Sequence, residues 1–177
     1  MRVPAQVHIL PDAGALAEEA ARRYLTLAQT AVTERGRFAV ALSGGSTPGA
    51  LYHLLASPPH SARLPWTHMH LFWGDERCVP PEDSESSYRL VAETLLAGAP
   101  MPPGGIYRMR GEWEPERAAE DYERTLRAFF GAEPPRFDLV LLGLGKDGHT
   151  ASLFPGAAPL AETERWCIPA DRKSTRL

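Results

Sequence analysis

Histidine and aspartate lie two residues apart in a glycine-rich segment near the end of the chain. His149 is a candidate general base, because an unperturbed imidazole titrates near pH ~6.5 and exchanges protons at neutral pH. Asp147 can orient that ring, or a nearby water, through its carboxylate. The alternative role for His149 is to cap a following helix. The pair is therefore a candidate for proton-transfer chemistry.

A second segment, residues 43–47, carries groups suited to holding a phosphate. Its candidate binding residues are Ser43, Gly44, Gly45, Ser46 and Thr47. Two glycines allow the backbone N–H groups to turn inward, and Pro48 is typical of the first turn of a helix, whose N-terminus adds unpaired N–H groups and a positive dipole end. The plainer interpretation is a tight strand-to-helix turn with a hydroxyl cap.

Arg77 provides a cation in a third segment. An arginine at the end of a strand can form a bidentate pair with a phosphate, and Asp75 or Glu76 is placed to orient it. The alternative is a local ion pair on a solvated loop. Cys78 is next to this arginine, and no sequence feature marks it as a nucleophile.

Each of these segments follows a predicted strand. The predicted strands are residues 6–10, 38–42, 67–73 and 137–142, and the predicted helices are residues 12–36, 48–56, 84–96 and 116–130. The last strand has four apolar residues in a row, 139–142, which predicts burial on both faces. The alternation predicts an α/β fold, a three-layer α/β/α sandwich with a Rossmann-like, mostly parallel sheet. The strand carboxyl ends of such a sheet meet at one rim, so the three segments should converge there.

Composition excludes several classes of protein. The 177 residues carry a net charge of −3, which gives no general attraction to nucleic acid or to an anionic membrane. No apolar run approaches the ~20 residues of a transmembrane helix. Two cysteines and no export signal predict a reducing, cytoplasmic location. A single domain is expected, as a monomer or weak homo-oligomer, with a small molecule as its partner.

Taken together, the three segments resemble the 6-phosphogluconolactonase family. The matching residues are 41–48, 72–80 and 138–155, in the family's order and spacing. The resemblance implies the sandwich fold shared with glucosamine-6-phosphate deaminases, ribose-5-phosphate isomerases and coenzyme A transferases. It implies hydrolysis of a phosphorylated sugar lactone in the oxidative pentose phosphate pathway, with no cofactor and no metal.

The resemblance also implies roles for single residues. His149 would activate water for attack on the lactone carbonyl, and Asp147 would orient His149. The residues that would anchor the 6-phosphate are Ser43, Gly44, Gly45, Ser46 and Arg77, with Asp75 and Thr47 as further site residues.

Three alternatives have different sequence signatures. Deaminases usually carry Asp-Glu-Tyr at residues 75–77 and a different sequence after His149, so this chain favours the lactonase. A non-catalytic sugar-phosphate sensor would not need the Asp147–His149 pair. Residues 143–148 also match the G-x-G-x-x-G dinucleotide motif, but Pro155 and Pro159 interrupt the helix that the motif requires. His68 and His70 lack a third metal ligand.

Two departures from the family pattern concern residues 86–88 and the end of the chain. The family commonly has Ser-Asn-Tyr where this chain has Ser86, Ser87 and Tyr88, which changes one polar contact. The family continues beyond the point that corresponds to residue 177. Residues 1–170 are therefore expected to form a single lactonase-like domain without its C-terminal part. Residues 171–177 are expected to be a non-native tail.

Overall fold

The computed structural model describes residues 5–131 and 134–170. The α-helices are α1 (Ala13–Arg35), α2 (Ser46–Ala56), α3 (Ser87–Thr94) and α4 (Pro115–Phe130). The strands are β1 (Phe38–Leu42), β2 (Met69–Trp73) and β3 (Leu139–Val140). Short 3-10 turns occur at Ser61–Arg63, Trp66–His68, Pro103–Gly105 and Ala158–Ala161. None of the helices in this described part is long and apolar enough to cross a membrane.

The three strands form one parallel sheet in the order β2-β1-β3. Val40 of β1 stands opposite Leu71 of β2 on one side and Leu139 of β3 on the other. One face of the sheet carries Val40 and Leu71, which pack with α1, α2 and α3 in the larger core. The predicted parallel sheet is confirmed.

The opposite face of the sheet packs on α4. Ala39 and Phe72 point to this side, where they form a second core with Tyr122 and Leu126 of α4. The Phe72 ring stacks on Tyr107 with centroids 4.5 Å apart. Because helices cover both faces, the predicted three-layer α/β/α sandwich is also confirmed.

Local signals place the ends of α1. Asp12 caps its start, since its side chain accepts a hydrogen bond from the Ala15 N–H at 2.8 Å. Gly36 ends it, with its N–H donating to the Val32 carbonyl at 2.9 Å. Both boundaries agree with the sequence prediction.

Two predicted strands differ from the structure. Residues 6–10 form no strand, and Val7 and Ile9 are 81% and 91% exposed, because no segment of the described chain pairs with them. The strand predicted over residues 137–142 is reduced to β3, in which Val140 is 44% exposed. Val140 and Leu142 of the apolar run are both exposed, so the run is not buried on both faces. β3 has β1 as its one neighbour in the described sheet.

Two tyrosine hydroxyls fix the carboxyl ends of β1 and β2. Tyr52 of α2 donates to the Ser43 carbonyl at 2.8 Å and accepts from the Ser43 N–H at 3.0 Å. Tyr122 of α4 makes the same pair of bonds with Trp73, at 3.0 and 2.8 Å. Burial raises the pKa of both phenols, so each stays protonated and able to donate. The loops that leave β1 and β2 therefore start from rigid points.

The start of the third strand is held by a carboxylate. Asp138 accepts from the Ala39 N–H at 2.7 Å and from the Arg35 guanidinium at 2.8 Å. These bonds join the residue before β3 to β1 and to the end of α1. As a result, the loop after β3 begins beside the loops that follow β1 and β2.

Candidate active site

The three loops meet in one cleft at the carboxyl edge of the sheet. The cleft has a volume of about 450 Å³, which is within the range of small-molecule sites. It is lined by Ser43, Gly44, Gly45, Ser46, Asp75, Arg77, Ser84, Glu85, Ser86, Ser87, Leu90, Gly143, Leu144, Gly145, His149 and Ala151. Sequence reasoning predicted this convergence because parallel strands place their following loops at one edge.

The N-terminus of α2 faces this cleft without a side-chain cap. Gly45 and Ser46 line the cleft, and Gly45 stands at the cap position with no side chain to accept a hydrogen bond. Pro48 has no N–H group, so the first-turn donors of α2 come from Ser46 and Thr47. An uncapped helix N-terminus carries a partial positive charge that favours an anion.

Thr47 itself is placed differently from the other residues of this loop. Its side chain is exposed, and the residue is not among those that line the cleft. The reason is helical geometry, because residue 47 already lies within α2 and successive residues point in different directions. Thr47 can therefore contribute its backbone N–H to the anion end of α2, whereas its hydroxyl is not part of the cleft wall.

Arg77 lines the cleft and is exposed. Within residues 5–131 and 134–170, its guanidinium has no carboxylate within ion-pair distance. Asp75 and Glu76, the residues expected to orient it, make no hydrogen bond or ion pair with this guanidinium, although Glu76 accepts a hydrogen bond from the Arg77 backbone N–H. Asp75 instead accepts a hydrogen bond from the Ser152 hydroxyl at 2.6 Å, and Glu76 binds the start of α3. The arginine charge is thus available to a ligand.

Asp147 and His149 contact each other directly. The His149 Nδ1 atom lies against Asp147 Oδ1 in a very short contact, and the His149 backbone N–H also donates to that oxygen at 3.3 Å. An Nδ1–H donated to the carboxylate leaves Nε2 with its lone pair. The hydrogen bond from the imidazole holds the pKa of Asp147 below its usual value, so the carboxylate is ionised at neutral pH.

Two neighbours define the position of the imidazole. The Phe154 ring packs against it with centroids 4.7 Å apart. On the other side, a Cβ at Gly145 would overlap both the His149 ring and the Asp147 carboxylate. Gly145 is therefore required for this close approach, and its N–H donates to the His149 carbonyl at 2.8 Å.

Sequence reasoning missed one wall of the cleft. Residues 84–87 and Leu90, at the start of α3, line it, and Ser87 lies directly against the loop after β1. Ser87 is buried, and its Oγ fills the space that a side chain at Gly44 would need. The departure noted at residues 86–88 was the available signal, but only the tertiary contact places Ser87 at the site.

Other candidate sites have structural explanations. No helix starts at Gly148 in the described chain, and the first helical turn after it is Ala158–Ala161, so the dinucleotide motif lacks its helix. His70 packs on Phe129 at 4.8 Å and faces the Tyr107 hydroxyl at 3.3 Å. Burial and the nearby Arg37 lower the pKa of His70, which favours a neutral ring. Among the described residues, no three side chains form a metal-binding group.

The fold and the cleft together define an α/β sandwich protein with a polar site at the carboxyl edge of a parallel sheet. Residues 11–176 match the family of glucosamine-6-phosphate isomerases and 6-phosphogluconolactonases, and the chain belongs to that family. A 6-phosphogluconolactonase of a Nostoc species is 40% identical over 163 residues, covering 90% of this chain and 66% of the relative.

Solved structures agree with this assignment. The devB protein superimposes with a TM-score of 0.80 at 41% identity, covering 88% of this chain and 64% of its own. The 6-phosphogluconolactonase of Trypanosoma cruzi superimposes with a TM-score of 0.81 at 29% identity, covering 93% of this chain and 68% of its own. The chain spans about two thirds of the length of these relatives.

Proposed function

We propose that the chain carries the active site of a 6-phosphogluconolactonase, which hydrolyses 6-phospho-D-glucono-1,5-lactone to 6-phospho-D-gluconate in the oxidative pentose phosphate pathway. The observation that carries the proposal is the Asp147–His149 pair in the same cleft as Arg77 and the open end of α2. This combination offers a base for water and a receptor for phosphate. The Nostoc and Trypanosoma cruzi relatives described above bear the same enzyme name.

The phosphate end of the substrate would lie at α2 and Arg77. The backbone N–H groups of Gly45, Ser46 and Thr47 and the dipole of α2 favour a dianion. Arg77 adds a planar pair of donors without a competing carboxylate in the described structure. Anchoring the 6-phosphate in this way fixes the sugar ring, so that its carbonyl is presented to the base.

The chemical step would use the free nitrogen of His149. Nε2 removes a proton from a water molecule, and the water oxygen forms a bond to the lactone carbonyl carbon. The tetrahedral intermediate then collapses, the bond from that carbon to the ring oxygen breaks, and the imidazolium returns its proton to the leaving oxygen. The ionised Asp147 stabilises the imidazolium between these two transfers.

The test is the rate of hydrolysis of freshly generated 6-phosphogluconolactone above its spontaneous background, for the chain and for His149→Ala. A positioned base contributes ~10²–10⁴-fold, so kcat in the variant should fall by about that factor while substrate binding is largely kept. Because the pKa of Asp147 is lowered by the hydrogen bond from His149, its carboxylate is charged at neutral pH, where the rates are compared.

Two other outcomes would overturn the proposal. Release of ammonia from glucosamine 6-phosphate without lactone hydrolysis would indicate the deaminase reaction of the same family. Binding of 6-phosphogluconate with no turnover by the folded chain would indicate a sugar-phosphate-binding domain.

A cytoplasmic location is part of the proposal, supported by the two free cysteines, Cys78 and Cys167.

A further inference from the structure

We infer that Glu76 is a positioning residue of the phosphate site, which closes the N-terminus of α3 so that the substrate phosphate binds at α2 and Arg77. The inference rests on the proposed function for the identity of the substrate. It assigns Glu76 a role that its neighbours in sequence, Asp75 and Arg77, do not share.

The carboxylate of Glu76 is saturated by donors from α3 and from its own loop. Oε1 accepts from the Ser87 N–H at 2.7 Å and from the Arg77 N–H at 2.8 Å. Oε2 accepts from the Tyr88 N–H at 2.8 Å and from the Ser86 hydroxyl at 3.0 Å. One side chain therefore joins the backbone of Arg77 to the first turn of α3.

Ser86 occupies the remaining donors of this helix end. Its side chain accepts from the Arg89 N–H at 3.1 Å, and its carbonyl accepts from the Leu90 N–H at 3.3 Å. With the two bonds to Glu76, all the first-turn N–H groups of α3 have partners. A negative carboxylate also stands at the positive end of the helix dipole. An anionic ligand consequently finds no free N–H donor at the N-terminus of α3.

The two helix ends that border the cleft thus differ in their availability. Gly45, Ser46, Ser86 and Ser87 line the same cleft, but α2 has no side-chain cap and α3 has two. Glu76 accepts hydrogen bonds from the N-terminal N–H groups of α3, so the uncapped N-terminus of α2 is the helix end that remains available to an anion. By holding the Arg77 backbone, Glu76 also fixes the starting point of the guanidinium that accompanies that site.

Glu76 also keeps the wall of the cleft in place. Its bond to the Ser87 N–H holds Ser87 against Gly44, where the serine hydroxyl occupies the space beside the glycine. A shift of α3 would therefore alter the loop after β1 as well as Arg77. The effect of removing the carboxylate should appear in the binding of phosphate and not in the chemical step at His149.

Glu76→Gln tests this role, because the side-chain amide nitrogen of glutamine is a hydrogen-bond donor. It would face N–H or O–H groups that now donate to a carboxylate oxygen. The expected result is a rise of about tenfold in KM for the phosphorylated lactone, the size of one lost charged hydrogen bond, with kcat within about twofold. The rate with phosphate-free gluconolactone should be unchanged. If Glu76 acted only as a negative charge near the substrate, its neutralisation would lower KM instead, and that result would overturn the inference.

Glu114→Gln is the matched control for loss of a helix cap. Glu114 also caps a helix with its carboxylate, as the N-cap residue of α4, accepting from the Glu116 and Arg117 N–H groups at 3.2 and 3.0 Å, and it does not line the cleft. This variant should leave KM for both lactones unchanged. If KM rose equally in both variants, Glu76 would have only a structural role. The same conclusion would follow if Glu76→Gln lowered the rate equally with both lactones.

The affinity for inorganic phosphate, measured by calorimetric titration, separates this inference from the proposed function. Weaker phosphate binding by Glu76→Gln than by the unmodified chain and Glu114→Gln supports the inference whether or not the lactone is hydrolysed. Equal binding by all three proteins, or no binding by the unmodified chain, would overturn it. Absence of lactone turnover alone would contradict the proposed function only.

Discussion

The acidic residues around Arg77 show how the role of a side chain depends on where its hydrogen bonds go. Asp75 binds Ser152 in the loop after β3, and Glu76 binds the start of α3. Each carboxylate is used to join one loop to another segment, and neither neutralises the guanidinium. The cleft therefore combines an arginine free to bind an anion with a histidine held by Asp147.

Replacing Arg77 with alanine should weaken binding more than catalysis. Charged hydrogen bonds contribute about 1.5–3 kcal/mol each, so KM for the phosphorylated lactone should rise about 10- to 100-fold with a small change in kcat. Steady-state rates with phosphorylated and phosphate-free lactones measure this difference. An equal effect of Arg77→Ala on both substrates would mean that the arginine does not anchor the phosphate.

Gly145→Ala should impair catalysis through steric overlap. The added Cβ would displace the His149 ring from Asp147, so kcat should fall by at least about tenfold, a part of the ~10²–10⁴-fold supplied by a positioned base. Gly104→Ala is the control, because a Cβ at that position meets no atom within 4 Å and Gly104 does not line the cleft. Comparable losses in kcat for the two variants would refute the steric argument.

At the scale of elements, helices on opposite faces of the sheet fix the two strand ends that begin the site. Tyr52 reaches Ser43 from α2, and Tyr122 reaches Trp73 from α4. Each hydroxyl satisfies both backbone groups of a buried residue. These are tertiary hydrogen bonds, because Ser43 and Tyr52 are 9 positions apart in the sequence and Trp73 and Tyr122 are 49 positions apart.

Removal of either hydroxyl should destabilise the protein. Tyr52→Phe and Tyr122→Phe each leave a buried N–H and carbonyl without that partner, which should lower the free energy of unfolding by about 1–3 kcal/mol. Urea denaturation measures the loss. Each variant should also raise KM, because Ser43 begins the loop that leads to α2 and Trp73 begins the loop that carries Arg77. A normal KM in either variant would show that the loop concerned does not depend on its tyrosine.

At the scale of the whole molecule, the edge strand β3 and the residues that follow it present apolar side chains to solvent. Val140 is 44% exposed and Leu142 is 60% exposed. The outer edge of β3 has no neighbouring strand among the described residues. Exposed apolar edges of this kind promote pairing between chains.

Val140→Lys should reduce concentration-dependent self-association, because a lysine on an edge strand opposes pairing between chains. The average mass from light scattering should rise with protein concentration for the unmodified chain and rise much less for the variant. Leu160→Lys is the control, since Leu160 is also exposed but lies in the turn Ala158–Ala161, outside the sheet. Identical mass curves for all three proteins would exclude the β3 edge as the cause.

Local information in the sequence was sufficient for the main elements and for the chemistry they carry. Asp12 and Gly36 mark the ends of α1 because caps act over a few residues. Asp147 and His149 could be paired from the sequence because two residues of one tight loop cannot lie far apart. The convergence of the three loops followed from the parallel sheet alone.

The tertiary structure decided whatever depends on partners distant in the chain. Apolar content predicted strands at residues 6–10 and over residues 137–142, but a strand needs a neighbour to pair with, and composition does not supply one. Glu76 looked like a partner for Arg77 until the fold brought α3 within its reach. A carboxylate binds the donors that surround it in space, and those donors are set by the packing of the whole chain.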